Sequence, residues 1–238
     1  MNTRRVRGVL RKELREYRRN GSIVVAMATI PLVFLVQPLI VVFGLPTEAS
    51  GAVRREHLLL YMLGIPALVP ALIAAYAVVG ERQQSTLEPA LTAPIRREEF
   101  VLGKALGALL PSIVVAYAVY AVFVGAVRFF ADASVATALL QWPQIIAQVA
   151  FTPLIAAWTI WVAMLISARS NDIRVAQQLA MLASLPTVIV TSLVAFNVIH
   201  PTTRLAVLFA AGLLALDGLG WRMVSAAFHT ERLIAGTR

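Results

Sequence analysis

The residues able to do bond-making chemistry in this chain are few and scattered. Its three histidines, His57, His200 and His229, fall in three different connecting or terminal segments, whereas a metal site needs its ligands gathered. There is no cysteine, hence no thiolate nucleophile and no disulfide. Neither H-E-x-x-H nor G-x-S-x-G occurs, and the phosphate-cradling G-x-x-x-x-G-K-[ST] is absent as well. What remains is Asp217, an acid inside an apolar run, and a strip dense in charge, ERQQSTLEPALTAPIRREEFVLGK, from Glu81 to Lys104. Residues of these types, so arranged, pair charges and dock partners.

The elements that carry them follow from composition. Of 238 residues 59% are apolar and only 14% charged, yet the net charge is +9 and the pI near 11.0. An average soluble domain is roughly 25% charged, so a soluble protein of this size could not cover its surface with so few ionisable groups. An integral membrane protein satisfies both facts. Six apolar runs reach the ~20 residues that a helix needs to cross a bilayer: Ser22–Gly44, Leu58–Gly80, Val101–Val127, Ile145–Ala168, Val175–Ile199 and Leu205–Ala226. Barrel strands would show short alternating segments, so continuous runs mean helices. The expected fold is an all-α polytopic membrane protein, one transmembrane domain over residues 1–238. Thr3-Arg4-Arg5 is similar to a twin-arginine signal, but a charged stretch separates it from the first apolar run, which is expected to be retained.

With the N-terminus cytoplasmic, 17 of the 21 Lys and Arg residues fall inside and only Arg54, Arg55, Arg128 and Arg204 outside. The positive-inside rule thus places both termini in the cytoplasm. The basic excess is explained by this sidedness, and with no soluble domain to carry a binding face no nucleic-acid partner is implied.

Residues Thr3–Arg19 read as an interfacial helix. Val6, Val9, Leu10, Leu14 and Tyr17 make one stripe of a 3.6-residue period, expected to face lipid, with basic residues around the rest. Asn20-Gly21 supplies the turn into the first span. In the charged strip, Ser85-Thr86-Leu87-Glu88 reads as a capping box that starts a short helix, with Pro89 tolerated only in its first turn. Ala93-Pro94 ends it, and Glu98 and Glu99 suit the next helix N-terminus. A short helix across the ends of two spans is a surface for docking something soluble.

Here the residues resemble a family. E-R-x-x-x-T-L-E (Glu81 to Glu88), T-x-P-I-x-R-x-E (Thr92 to Glu99) and L-G-K (Leu102 to Lys104) are similar to the signature of type-2 ABC transporter permeases. Ser167, Asn171, Ala176, Gln177 and Pro186 match its fourth-to-fifth connection, and Ala227-Phe228 with Glu231-Arg232-Leu233 its closing segment. Pro89 and Arg96 depart from the pattern. The resemblance implies that Ser85–Leu91 is a coupling helix seated on a separate ATPase subunit, with Glu81, Arg82, Ser85, Thr86, Leu87, Glu88 and Leu91 at the contact and the Thr3–Arg19 helix bracing it. It implies two ATPase copies, a second permease copy or sister permease, and ATP with Mg bound by the ATPase and no cofactor in this chain. The organism implied is a prokaryote and the membrane its plasma membrane.

Other residues are open to two readings. Asp217 is either a polar element of a substrate path or dimer seam, or an acid solvated near the cytoplasmic end through Gly218 and Gly220; the second is favoured. Tyr117 and Tyr120 share a helix face and either line a path for an amphipathic substrate or simply pack. Pro31, Pro38, Pro66 and Pro70 are expected to bend the first two spans. Gly103 and Gly107 form a G-x-x-x-G suited to close packing within the chain. Glu98-Glu99 with Lys104 resembles the paired glutamates of intramembrane CAAX-type proteases, but the accompanying histidines are lacking. Trp142 reads as an interfacial anchor, and no outer loop is large enough to fold as a receptor, which favours export. The rival reading is a stand-alone secondary carrier or channel; the two halves lack the matching broken helices that carriers often show.

Overall fold

The structure, a computed structural model, describes residues 2–44, 57–83 and 96–228. Helix α1 (Thr3–Arg19) begins where the Asn2 side chain accepts from the Arg4 amide at 3.0 Å and ends with Arg18 and Arg19, cations that suit a helix C-terminus. The chain turns at Asn20 into α2 (Gly21–Gly44), the first span. The second span is three pieces, α3 (Leu58–Tyr61), α4 (Gly64–Ala74) and α5 (Tyr76–Gln83). Helix α6 (Arg97–Phe130) is the third, and a short helix α7 (Ala133–Leu139) leads into α8 (Trp142–Arg169), the fourth. Helices α9 (Ile173–Ala195) and α10 (Thr203–Ala227) complete the bundle.

Among the described residues six helical stretches are long and apolar enough to cross a membrane, where the sequence places them. The chain is an all-α polytopic membrane protein. The fifth span ends at Ala195 instead of Ile199, because Asn197 takes a left-handed conformation (φ 57°), which terminates the helix. The third begins at Arg97: the Arg96 amide donates to the Glu99 carboxylate at 3.2 Å and extends the helix four residues beyond the apolar run. Helix α7 is not foreseen, since its seven residues carry too short a pattern.

The prolines act unequally. Pro31 and Pro38 sit inside an uninterrupted α2. Only the second span is broken, at Met62–Leu63 and at Ala75, and neither break falls on a proline. Pro66 occupies the first turn of α4, where a missing N–H costs nothing.

The second span is also the centre of the bundle. Of its most apolar stretch 83% is buried within the protein, against 17–50% for the other five. Around it stand α2, α6, α8 and α9. Helix α9 approaches closely because its inner face is small: Ala176, Ala180, Ser184, Thr187, Thr191 and Ala195 recur every three or four residues and are all buried. In lipid, helices associate through such close packing, since hydrocarbon competes evenly for large aliphatic groups. Those groups point outward, among them Val33, Ile40, Val114, Leu182, Ile189 and Leu208. This surface suits a bilayer and would aggregate in water.

Candidate functional site

Where α1 meets the bundle, a notch in α6 receives it. Gly103 and Gly107 lie one turn apart, and a Cβ added to Gly103 would come within 2.6 Å of the Val9 Cβ. A Cβ on Gly107 would come within 2.8 Å of the Glu13 Cβ. The G-x-x-x-G therefore serves close packing within the chain.

Close approach brings charges together. Lys104 is 1% exposed, Glu13 2% and Glu81 4%. The Lys104 ammonium donates to Glu13 Oε1 at 2.8 Å and lies 3.1 Å from Glu81 Oε1. Lys12 completes the cluster at its exposed rim, pairing with Glu81 and, at 3.6 Å, with Glu16. The Tyr17 hydroxyl donates to Glu13 Oε2 at 2.9 Å. Burial first, then the neighbouring Glu13 charge, pushes the Tyr17 phenol well above its ordinary pKa, so it remains a donor. The face of Phe100 lies 5.0 Å from the Lys104 ammonium. A cavity of about 420 Å³ adjoins the cluster, bounded by Glu16, Tyr17, Arg19, Tyr76, Gly80 and Glu81 among others.

A second tie holds the start of α1. Glu99, also buried, accepts from the Asn2 amide and lies 3.6 Å from Arg5. Helix α1 is therefore fastened at both ends to α6, and through Glu81 to the end of the second span. Glu81 and Lys104 are the two ends of the charged strip. Their ion pair clips its stems together and binds both to α1.

The residues singled out from sequence fare differently. Val6, Val9 and Tyr17 are buried against the protein, while Leu10 and Leu14 are half-buried. The stripe expected to face lipid instead packs largely on α6. Glu81 joins the cluster. Arg82 lies in α5, and Ser85, Thr86, Leu87, Glu88 and Leu91 lie outside the described residues, as does His229. The Tyr117 hydroxyl donates to the Val149 carbonyl at 2.8 Å and ties α6 to α8; Tyr120 is buried one turn away. Asp217 is half-buried and falls in register with Leu213, Gly220 and Val224, the buried stripe of α10. Gly220 abuts Trp161 of α8, whose ring meets Trp221 edge-on with centroids 5.6 Å apart. On the opposite side of the bundle, His57 pairs with the Gln144 amide at 2.9 Å. Burial, then the charge of His200, lowers its pKa below 6.5. No three potential metal ligands come together among the described residues.

Sequence reasoning passed over Glu13 and left Lys104 as part of a motif. The signal for Glu13 was present: it is an acid on the apolar stripe of a strongly basic helix, in register with Val6, Val9 and Tyr17.

A six-span helical bundle with a basic amphipathic helix pinned to its third span defines a polytopic membrane protein. The family model described as ABC-2 type transporter matches residues 4–208, which take in α1, the whole charged cluster and five of the spans. The chain belongs to that family and is a transmembrane ABC permease. No curated protein matches it.

Proposed function

We propose that the chain is the membrane-spanning subunit of an ATP-driven exporter, powered by a separate ATPase. The observation that carries this is the clipped joint of Glu13, Glu81 and Lys104. A docking loop that transmits force needs stems that do not splay, and the Lys104–Glu81 pair at 3.1 Å joins them. A load arriving on residues 84–95 would then reach α1 and the second and third spans together. In this reading Ser85–Leu91 forms the coupling helix, Arg82, Thr86 and Glu88 make its polar contacts and α1 braces it, while Glu81, expected from sequence at the contact, is buried and serves as the clip beneath. ATP and Mg belong to the partner, since the sequence carries no phosphate loop.

The Lys/Arg asymmetry supports a cytoplasmic position for both termini and for the charged strip. The short connections on the other side favour export. Two ATPase subunits and a second permease, identical or sister, complete the assembly in a prokaryotic plasma membrane. The test is purification of the tagged permease from its native host. The expected result is co-purification of an ATPase with a phosphate loop, and vesicle transport that requires ATP and stops with vanadate. Transport by the permease alone, or labelling that places residues 84–95 outside the cell, refutes the assignment.

A further inference from the structure

The break in the second span at Ala75 has no cause in its own sequence. The stretch Ala74-Ala75-Tyr76-Ala77 holds neither proline nor glycine, and alanine is the best helix former. Ala75 itself keeps helical angles, φ −60° and ψ −26°. What interrupts the ladder is a side chain from another span. The hydroxyl of Ser167, near the end of α8 and fully buried, donates to the Ala75 carbonyl at 2.6 Å. It accepts from the amides of Val78 at 3.1 Å and Val79 at 3.2 Å. One donor and two acceptor positions are all that a hydroxyl has, and all three are spent on this backbone. In a continuous helix the Val79 amide would bond the Ala75 carbonyl directly. Ser167 stands between them, and so opens the helix without leaving polar backbone unpaired in hydrocarbon.

The segment beyond the break is the one that meets the charged cluster. Helix α5 carries Glu81, tied to Lys104 and Lys12. On its other side Gln83 donates to the Asn171 carbonyl at 3.4 Å, just past the end of α8. Glu81 lies about 9 Å beyond Ala75 at ~1.5 Å per residue. A swing of about 10° at Ala75 therefore displaces Glu81 by roughly 1.5 Å, enough to change a 3.1 Å ion pair.

Resting on the ATP-driven exporter reading, we infer that Ser167 is a positioning residue for coupling: its hydroxyl keeps α5 a separate lever, hinged at Ala75, between the docking loop and the transmembrane core. Removing the hydroxyl lets Val79 and Ala75 bond each other, so that α4 and α5 fuse into one stiff helix.

The experiment compares Ser167→Ala with the Ser167→Ala/Val79→Pro double variant, in which proline removes the amide needed for fusion and so reopens the break without the hydroxyl. In the complete complex, Ser167→Ala should still bind the ATPase and hydrolyse ATP, while transport per ATP falls at least tenfold. The double variant should recover threefold or more. Normal transport in Ser167→Ala, loss of ATPase assembly by it, or no recovery in the double variant would each overturn the inference, the last two by making Ser167 a simple brace. A second measurement needs no transport. Because the chain lacks cysteine, spin labels at Leu68 and Gln83 report only this joint, across about 22 Å of helix. Their distance distribution in bilayer discs should be narrower for Ser167→Ala than for the parent. An equal width overturns the hinge, whatever the outcome of the ATPase assays; a narrowed distribution with no ATP-dependent transport in the parent leaves the hinge standing and sinks the ATP-driven exporter reading.

Discussion

Replacing Lys104 with methionine keeps most of the side-chain volume and deletes one charge. In the parent the ammonium, 1% exposed, neutralises Glu13 at 2.8 Å and shares Glu81 with Lys12. In Lys104→Met, Glu81 keeps Lys12, but Glu13 keeps only the Tyr17 hydroxyl and becomes a buried carboxylate without a counter-charge. Breaking one side of a buried pair costs about 3–5 kcal/mol. The cost falls on the docking of α1, because the spans themselves stay packed. Converted at 1.4 kcal/mol per tenfold, the undocked population rises about 10²- to 4 × 10³-fold. Limited trypsin digestion reads this directly, since α1 carries eight cleavable Lys and Arg residues. Cleavage within residues 4–19 should accelerate by that factor while the spans stay intact. The double variant Glu13→Leu/Lys104→Met removes both partners, and its cleavage rate should fall below that of Lys104→Met, because no unpaired charge is left, yet stay above the parent's, because only the Glu99 ties and the Lys12–Glu81 pair then hold α1. If Lys104→Met is cleaved no faster than the parent, the cluster does not hold α1 and the reasoning is wrong.

Three further outcomes are expected. Gly107→Val places a branched side chain where a Cβ already comes within 2.8 Å of Glu13, and overpacking of about 1–3 kcal/mol should release α1 in the same digestion assay; an unchanged rate would show that the notch is slack. Thr86→Ala/Glu88→Ala should insert and fold normally but lose ATPase assembly or its stimulation, and unimpaired transport would count against the docking assignment. His57, with a pKa lowered by burial and by His200, binds fewer protons folded than unfolded. Its contribution is therefore complete above the unfolded value of 6.5 and declines as pH falls through the lower folded value. Thermal unfolding of His57→Gln should depend less on pH below 6.5 than that of the parent; identical slopes would exclude the effect.

The spans were legible because their signal is additive: twenty apolar residues outweigh any single misread position. Their ends were less so, and for local reasons. Asn197 stops the fifth span with one unusual backbone angle, and Glu99 starts the third early with one side-chain bond. Gly103 and Gly107 announced a close approach, though not its partner, because a G-x-x-x-G is silent about what fills it. The break at Ala75 was illegible in principle. Its cause lies 92 residues away in Ser167, and nothing in Ala74-Ala75-Tyr76 departs from helix. Neither break falls on a proline, and Pro31 and Pro38 sit within an unbroken α2, whereas an inserted hydroxyl competes for bonds on both sides of the joint.

The charged cluster is also the answer to a problem that hydrophobicity leaves unsolved. An amphipathic helix at a bilayer surface has two places to put its apolar stripe, on lipid or on protein, and hydrocarbon is as good a partner for Val6 and Val9 as the side of α6. Area burial therefore does not discriminate between the two. Glu13 does. On the lipid side it would sit on the stripe against acyl chains with no counter-charge, a position costing several kcal/mol. On the protein side it meets Lys104 and Tyr17. The acid makes the wrong face costly and the right one favourable, so that one register of α1 on α6 is selected over sliding or lifting off. This is the use to which a buried ion cluster is suited, fixing a register more than adding net stability. A helix so indexed can pass a displacement of the docking loop to the spans; one held by apolar contact alone would slip.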